Sequence, residues 1–190
     1  ILKKTKINLK YIDLGGGFGI SYNKKVKEIK LKDYPKLVEK FKNKFNCKII
    51  FEPGRAIVGN TGILVSKIQY IKKTASKIFI ILDAGMNDFM RPALYDAQHE
   101  IVPITKRNSY SKKVMEFVGP ICESSCKFKI YKSFQILSEK DFVAIKDVGA
   151  YGSVLASNYN SKPLPAEVWV DRNKFKIIRK RQDLNKIIKY

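Results

Sequence analysis

Ile63-Leu64-Val65-Ser66-Lys67-Ile68-Gln69-Tyr70-Ile71 and, after a short polar turn, Lys77-Ile78-Phe79-Ile80-Ile81-Leu82 are the segments whose reading decides the fold. Both are rich in β-branched residues, which suit a pleated surface, and the turn between them is short enough to pair them. Further short strands are expected at Glu100–Pro103, Lys113–Val118, Asp141–Lys146 and Ala166–Val170. Short strands punctuated by turn residues predict an antiparallel β-domain, closed as a barrel or layered as a sandwich.

Upstream of Gly62 the pattern differs. Leu9 to Leu14 reads as a short buried strand that ends in Gly15-Gly16-Gly17-Phe18-Gly19. A helix is expected from about Asp33 to Phe45, with Leu37, Val38, Phe41 and Phe45 at helical spacing and Pro35 near the start, where proline is tolerated. Lys48-Ile49-Ile50-Phe51 is a second apolar strand, and it runs into Glu52-Pro53-Gly54-Arg55. Strand, glycine loop, helix, strand and charged loop form a β/α repeat, in which ligands sit at the carboxyl ends of the strands. Both loops fall there. The boundary between the two patterns lies near Asn60 to Gly62, which predicts one unit over residues 1–60 and a second over 61–190.

Composition narrows the class. The 190 residues are 45% hydrophobic, enough for a core, and contain no apolar run of about 18 residues, so no membrane span is expected. Lys3, Lys4 and Lys6 lead into mixed sequence with no apolar h-region, so no signal peptide is expected either. Cys47, Cys122 and Cys126 do not make a disulfide framework, which points to a reducing cytoplasm. The net charge of +21 invites a nucleic-acid reading, but the lysines spread along the whole chain, as in Lys24-Lys25-Val26-Lys27-Glu28-Ile29-Lys30. That distribution predicts a solvated lysine-rich surface with non-specific affinity for polyanions rather than specific nucleic-acid binding. The chain begins with Ile1 and reaches strand-like sequence almost at once, as the later part of a longer protein would.

Several loops pair reactive side chains with Gly or Pro, the composition of ligand-holding loops on a rigid scaffold. The three consecutive glycines bare their N–H groups for a phosphate, or simply make a tight turn. Gly15, Gly17 and Gly19 imitate a dinucleotide fingerprint, but the Gly-x-Gly-x-Gly spacing argues against one. Glu52 can face a ring nitrogen and Arg55 can fork onto an anion, or the two can pair with each other. In Arg91-Pro92-Ala93-Leu94-Tyr95 a helical turn sets Arg91 and Tyr95 on one face, where both can hold one carboxylate. The plain alternative is an exposed Arg beside a half-buried Tyr. His99 is the only histidine, which all but removes a His-based triad or a multi-His metal site, and no metal is expected. In Cys122-Glu123-Ser124-Ser125-Cys126 a thiol beside a carboxylate can donate a proton, or the cysteines are structural. Tyr151, in Gly149-Ala150-Tyr151-Gly152, either presents a phenol to a ligand or packs at a corner.

In order, these pieces resemble diaminopimelate decarboxylases, pyridoxal-phosphate enzymes of the alanine-racemase-like fold type. The resemblance rests on the glycine loop from Asp13 to Tyr22, on FEPGRAIVGNTG, LDAGMNDFMRPALYDAQHEIVPI and VGPICESSC, and on GAYGSVLASNYNSKPLPAEVWV. It implies the C-terminal part of a (β/α)8 TIM-like barrel followed by an antiparallel β-domain, and decarboxylation of meso-2,6-diaminopimelate to L-lysine. It further implies that Gly16 and Gly17 bind the phosphate of pyridoxal 5′-phosphate, and that Glu52 keeps the pyridine nitrogen protonated. Pro53, Gly54 and Arg55 would belong to the same cofactor segment, with Arg55 also near substrate. Arg91, Tyr95 and Glu123 would recognise the distal end of the substrate. Cys122 would protonate the carbon left after carbon dioxide departs, and Tyr151 would touch both cofactor and substrate. A homodimer with shared active sites is implied, the Cys122-Glu123 loop reaching into the partner's barrel.

The family's Schiff-base lysine and the imidazole that stacks on the cofactor ring would both lie upstream of Ile1. The resemblance therefore predicts that these 190 residues alone do not catalyse. Decarboxylases of the same fold acting on ornithine, arginine or carboxynorspermidine are the nearest alternative, and a non-catalytic basic binding module is a more distant one. Arg91 together with Glu123 favours a distal group that bears both carboxylate and ammonium.

Overall fold

The computed structural model describes residues 9–22, 32 and 34–188. Asp33, taken above as a helix start, and the lysine-rich run at 24–30 lie outside the described residues. The first strand, β1 (Tyr11–Asp13), pairs in parallel with β2 (Lys48–Ile50), Ile12 opposite Ile49. Between them runs helix α1 (Tyr34–Phe45), with its proline at the second position. Asn46 ends it in a left-handed conformation (φ 46) and returns its N–H to Lys42 O at 2.8 Å, the residue type and geometry expected of such a helix end. Phe18 is buried against Tyr34 and Phe51, at ring distances of 4.8 and 5.5 Å.

A short helix α2 (Gly54–Val58) and a 3-10 turn at Gly59–Thr61 lead into β3 (Ile63–Lys73), the longest strand. The rest of the sheet domain follows as β4 (Lys77–Leu82), helix α3 (Arg91–Tyr95), β5 (Ile101–Pro103), β6 (Tyr110–Ser111), β7 (Val114–Val118), β8 (Lys127–Tyr131), β9 (Phe134–Gln135) and β10 (Phe142–Lys146). A ribbon, β11 (Glu167–Asp171) with β12 (Lys174–Arg179), and helix α4 (Leu184–Ile188) complete it. Six strands make one sheet in the order β5-β10-β3-β4-β7-β8.

β3 explains how that sheet curls. Its first half, Ile63 to Lys67, pairs antiparallel with β10, while its second half pairs antiparallel with β4 across an irregularity between Ile68 and Tyr70. A bulge at such a point increases twist and lets one strand turn a corner between two half-sheets. A second register shift sits between Phe117 and Val118, where β7 meets β8. The curl brings the two end strands together: Ile101 N–H on β5 donates to the Tyr131 hydroxyl on β8 at 2.7 Å, and that hydroxyl donates to Ile101 O at 3.2 Å. Burial pushes the Tyr131 phenol up to about 12, so it remains a donor.

The expectation of a wholly antiparallel domain needs correction, because β4 and β7 are parallel, with Ile80 opposite Phe117. The long connection through α3 allows this, since parallel neighbours cannot be joined by a tight turn. Ile68, Ile80, Phe117, Val143 and Ile145 are fully enclosed inside the curl. Along β4, Ile78, Ile80 and Leu82 point inward and alternate with residues that are less buried, the period-2 pattern of a sheet with one core face. Truncating one of these to alanine costs about 2–5 kcal/mol by removing buried contacts and leaving a cavity.

Candidate functional site

Four loops meet where the β/α unit joins the curled sheet. After β1 and β2, the chain is stitched by Leu14 N–H to Ile50 O (3.0 Å), Glu52 N–H to Gly15 O (2.9 Å) and Gly54 N–H to Glu52 O (2.9 Å). Gly16 lies so close to the second loop that a Cβ there would stand 2.6 Å from Glu52 O, which only glycine avoids. Gly17 adopts φ +86, and a Cβ on Gly17 or Gly54 would meet nothing within 4 Å. The peptide backbone is therefore bare on that side.

Glu52 is exposed and Arg55 half-buried. They form no ion pair with each other; the ion pairs among the described residues all lie elsewhere. Arg55 instead carries its guanidinium over the ring of Tyr22, 5.9 Å from its centroid.

The third loop supplies Arg91. Helix α3 ends at Asp96, which is left-handed (φ 49) and turns the chain back so that His99 lies beside the start of the helix. Arg91 is only 6% exposed, and its Nε–H donates to His99 Nε2 at 3.3 Å. Its guanidinium lies 5.2 Å from the Tyr22 ring, 5.7 Å from Tyr95 and 5.7 Å from Tyr151. Among the described residues no carboxylate forms an ion pair with it. A buried cation with phenol walls and no counter-ion is an unfinished arrangement, because a desolvated charge needs an anion or ample hydrogen bonding. The plain alternative of an exposed Arg beside a half-buried Tyr is reversed here: Tyr95 is the exposed member, at 62%.

The fourth loop follows β10. Val148 N–H donates to Gly62 O and Gly149 N–H to Gly59 O, both at 3.0 Å, so this loop is fastened to the entry of β3. A Cβ on Gly149 would lie 1.9 Å from Val58 O, so no other residue allows the approach. Two residues on, Tyr151 takes a left-handed conformation (φ 57) that carries its ring to Arg91. Ser157 N–H donates to Asn87 O at 2.8 Å and ties the downstream chain to the Arg91 loop.

His99 is 1% exposed, held between the rings of Tyr22 and Phe89, each 4.6 Å away. Burial drives its pKa down to about 4; the bond to Lys146 O opposes this, while the charges of Arg91 and Lys129 add to it. Among the described residues, the Tyr22 hydroxyl is buried without a hydrogen-bond partner.

Cys122 and Glu123 stand apart from this cluster. Their loop is anchored by buried Ile121 and Cys126, with Met86 N–H donating to Cys126 Sγ at 3.3 Å and Gly119 N–H to Cys126 O at 2.9 Å. Both side chains project outward and are exposed. No hydrogen bond, ion pair or ring contact joins them to Arg91, Tyr95 or Tyr151 among the described residues. A cavity of about 390 Å³ elsewhere, lined by Ile71, Ile78, Ile80, Met115 and Leu137, touches none of the candidate site residues.

Sequence reasoning missed Tyr22 and gave His99 no role. Tyr22 closes the glycine loop, and a tyrosine there was the only available signal. His99 is eight residues from Arg91 with no periodicity linking them, and only the reversal at Asp96 brings them together.

Residues 12–149 match the family model described as pyridoxal-dependent decarboxylase, C-terminal sheet domain. The chain is 40% identical over 187 residues to the diaminopimelate decarboxylase of Aquifex aeolicus, covering 98% of this chain and 44% of that protein. With the diaminopimelate decarboxylase of Haemophilus influenzae it shares 43% identity over 186 residues, 98% of this chain and 45% of that one. The chain thus spans less than half the length of these relatives. The crystal structure of diaminopimelate decarboxylase from Helicobacter pylori complexed with L-lysine superposes with a TM-score of 0.86 at 43% identity, over 94% of this chain and 43% of that one.

Proposed function

Since this chain belongs to the pyridoxal-dependent decarboxylase family through its C-terminal sheet domain, we propose that the complete protein decarboxylates meso-2,6-diaminopimelate to L-lysine and carbon dioxide. Residues 1–60 then end a (β/α)8 barrel and residues 61–190 form the sheet domain with its active-site loops. The observation that carries the substrate assignment is Arg91: buried, walled by Tyr22, Tyr95 and Tyr151, and without a carboxylate partner among the described residues. A substrate whose distal end bears a carboxylate supplies the missing anion. One whose distal end bears only an amine would add a second cation there, which disfavours an ornithine or arginine substrate.

The residues present fit pyridoxal 5′-phosphate. Gly17 offers a bare backbone edge for a phosphate, and Gly16 beside it, packed against Glu52 O, adds its own N–H in the proposed cradle. Glu52, exposed at the end of β2, is available to a protonated ring nitrogen, and Pro53 and Gly54 shape the turn that carries Arg55 toward the same space. When bound, the cofactor is an electron sink for the bond to the departing carboxylate.

The chain's own residues do the rest. Arg91 and Tyr95 grip the distal carboxylate and Glu123 the distal ammonium, which fixes the α-carbon in place. Arg55 and Tyr151 border both ligands and help to exclude water. Cys122 holds a proton on Sγ and delivers it to the α-carbon after carbon dioxide leaves. Cys122 and Glu123 are exposed in a single chain, which supports a homodimer in which this loop completes the partner's site; a cytoplasmic location is part of the same proposal.

Arg91→Ala in the complete protein tests the reading. Losing a charge-assisted hydrogen-bonded pair of about 3 kcal/mol raises KM for meso-diaminopimelate roughly 100-fold. Inhibition by L-lysine, which keeps the distal carboxylate once the reacting one has left as carbon dioxide, should weaken by a similar factor, whereas inhibition by 1,5-diaminopentane, which has neither carboxylate, should stay as it was. An unchanged KM sinks the assignment.

A further inference from the structure

The proposed function gives Arg91 a ligand but leaves open what aims an arginine with several rotatable bonds. Both imidazole nitrogens of His99 are engaged. Nε2 lies 3.3 Å from Arg91 Nε, and Nδ1 lies 2.9 Å from Lys146 O. A guanidinium can only donate and a carbonyl can only accept. The imidazole is therefore neutral, with its proton on Nδ1 and its lone pair on Nε2 turned to Arg91. Lys146 is in β10 and paired with Ile63 of β3, so the carbonyl belongs to the rigid sheet. We propose that His99 is the positioning residue for Arg91, relaying the fixed direction of the Lys146 carbonyl to the guanidinium so that its two terminal nitrogens face the ligand space as a fork.

Three features support this. Occupying Nε leaves the Nη1 and Nη2 pair for a carboxylate, the bidentate mode that gives arginine its geometric selectivity. The imidazole is enclosed between Tyr22 and Phe89, so its ring cannot rotate without displacing both. Burial also keeps the ring neutral near pH 7, the state in which Nε2 accepts. The arrangement parallels metal-bound or catalytic imidazoles whose second nitrogen sets the tautomer, with an arginine in place of the metal. The ligand class follows: an amino acid whose far end carries a carboxylate, fixed in plane by the fork.

This inference rests on Arg91 receiving the distal carboxylate, and the experiment separates the two. In the complete protein, His99→Leu is expected to raise KM for meso-diaminopimelate about tenfold and to lower kcat by less than about threefold, a KM effect near 1.4 kcal/mol. Inhibition by L-lysine, which keeps the distal carboxylate, should weaken about as much, and inhibition by 1,5-diaminopentane, which has no carboxylate, should not change. His99→Gln, whose Oε1 can accept from Nε, should recover KM to within about threefold. The double variant Arg91→Ala/His99→Leu should be no worse than Arg91→Ala alone. If Arg91→Ala raises KM while His99→Leu does not, the positioning role is overturned and the functional reading stands. If Arg91→Ala leaves KM unchanged, both fall. Should His99→Leu not fold, ¹⁵N NMR of the histidine-labelled wild type decides. An Nδ1–H tautomer supports the proposal, and an Nε2–H tautomer overturns it.

Discussion

Acid should act on this chain through one imidazole, and the effect can be sized. His99 carries a pKa of about 4 in the folded protein, lowered chiefly by burial, against about 6.5 in an unfolded chain. As pH falls below 6.5 the unfolded chain binds a proton that the folded chain refuses. Stability present above 6.5 is therefore lost progressively between about 6.5 and 4, and the loss is complete below about 4. A difference of about 2.5 units amounts to roughly 3 kcal/mol. The charged groups acting on the ring are Arg91 from α3 and Lys129 from β8, and both resist its protonation. Urea unfolding followed between pH 8 and pH 4 in wild type and His99→Gln isolates this part, because the variant lacks the imidazole while other titrations are shared. The wild type should lose about 3 kcal/mol more than the variant over that window. NMR titration of the same ring should give a midpoint near 4, the signal being assigned by its absence in His99→Gln. A midpoint near 6.5, or identical pH dependence in the two proteins, would refute the burial and bonding described for His99.

Gly149→Ala would place a methyl group 1.9 Å from Val58 O, so the junction must open; a loss of at least about 2 kcal/mol is expected in thermal or urea melts. Tyr131→Phe removes the hydroxyl that bridges Ile101 N–H and O between β5 and β8; about 1–3 kcal/mol should be lost, and hydrogen exchange at Ile101 should accelerate. Iodoacetamide should label exposed Cys122 before Cys47 and Cys126, which are buried, and mass mapping of a brief reaction would read this directly. Gly16→Ala forces a shift against Glu52 O at 2.6 Å, so pyridoxal phosphate affinity in the complete protein should fall at least about tenfold, measured by the fluorescence of the bound cofactor.

Much of the architecture was readable because local pattern and local structure coincide. The β-branched run from Ile63 and the alternation along Lys77–Leu82 became β3 and β4. The apolar spacing of Leu37, Phe41 and Phe45 became α1, with Phe41 and Phe45 in ring contact at 4.7 Å. The short helical turn at Arg91-Pro92-Ala93-Leu94-Tyr95 formed where expected and stacks Arg91 over Tyr95. The strands Lys127–Tyr131 and Lys174–Arg179 were not anticipated. Lysines interrupt both runs and mask their strand character, since a strand accepts a lysine on any face turned to solvent.

By itself, the sequence determined the strands and helices, the glycine and charged loops at the ends of β1 and β2, and the identity of the side chains that carry chemistry. These follow from side-chain period and backbone sterics, which act over a few residues. Tertiary structure alone decided that β4 runs parallel to β7, that Tyr131 links the two ends of the sheet, and that Arg91 is buried against Tyr22, His99 and Tyr151. Those contacts join residues separated by 8 to 69 positions along the chain. They form only when the curl of the sheet, the left-handed turn at Asp96 and the close backbone approach at Gly149 bring distant segments into one place, which no local pattern encodes.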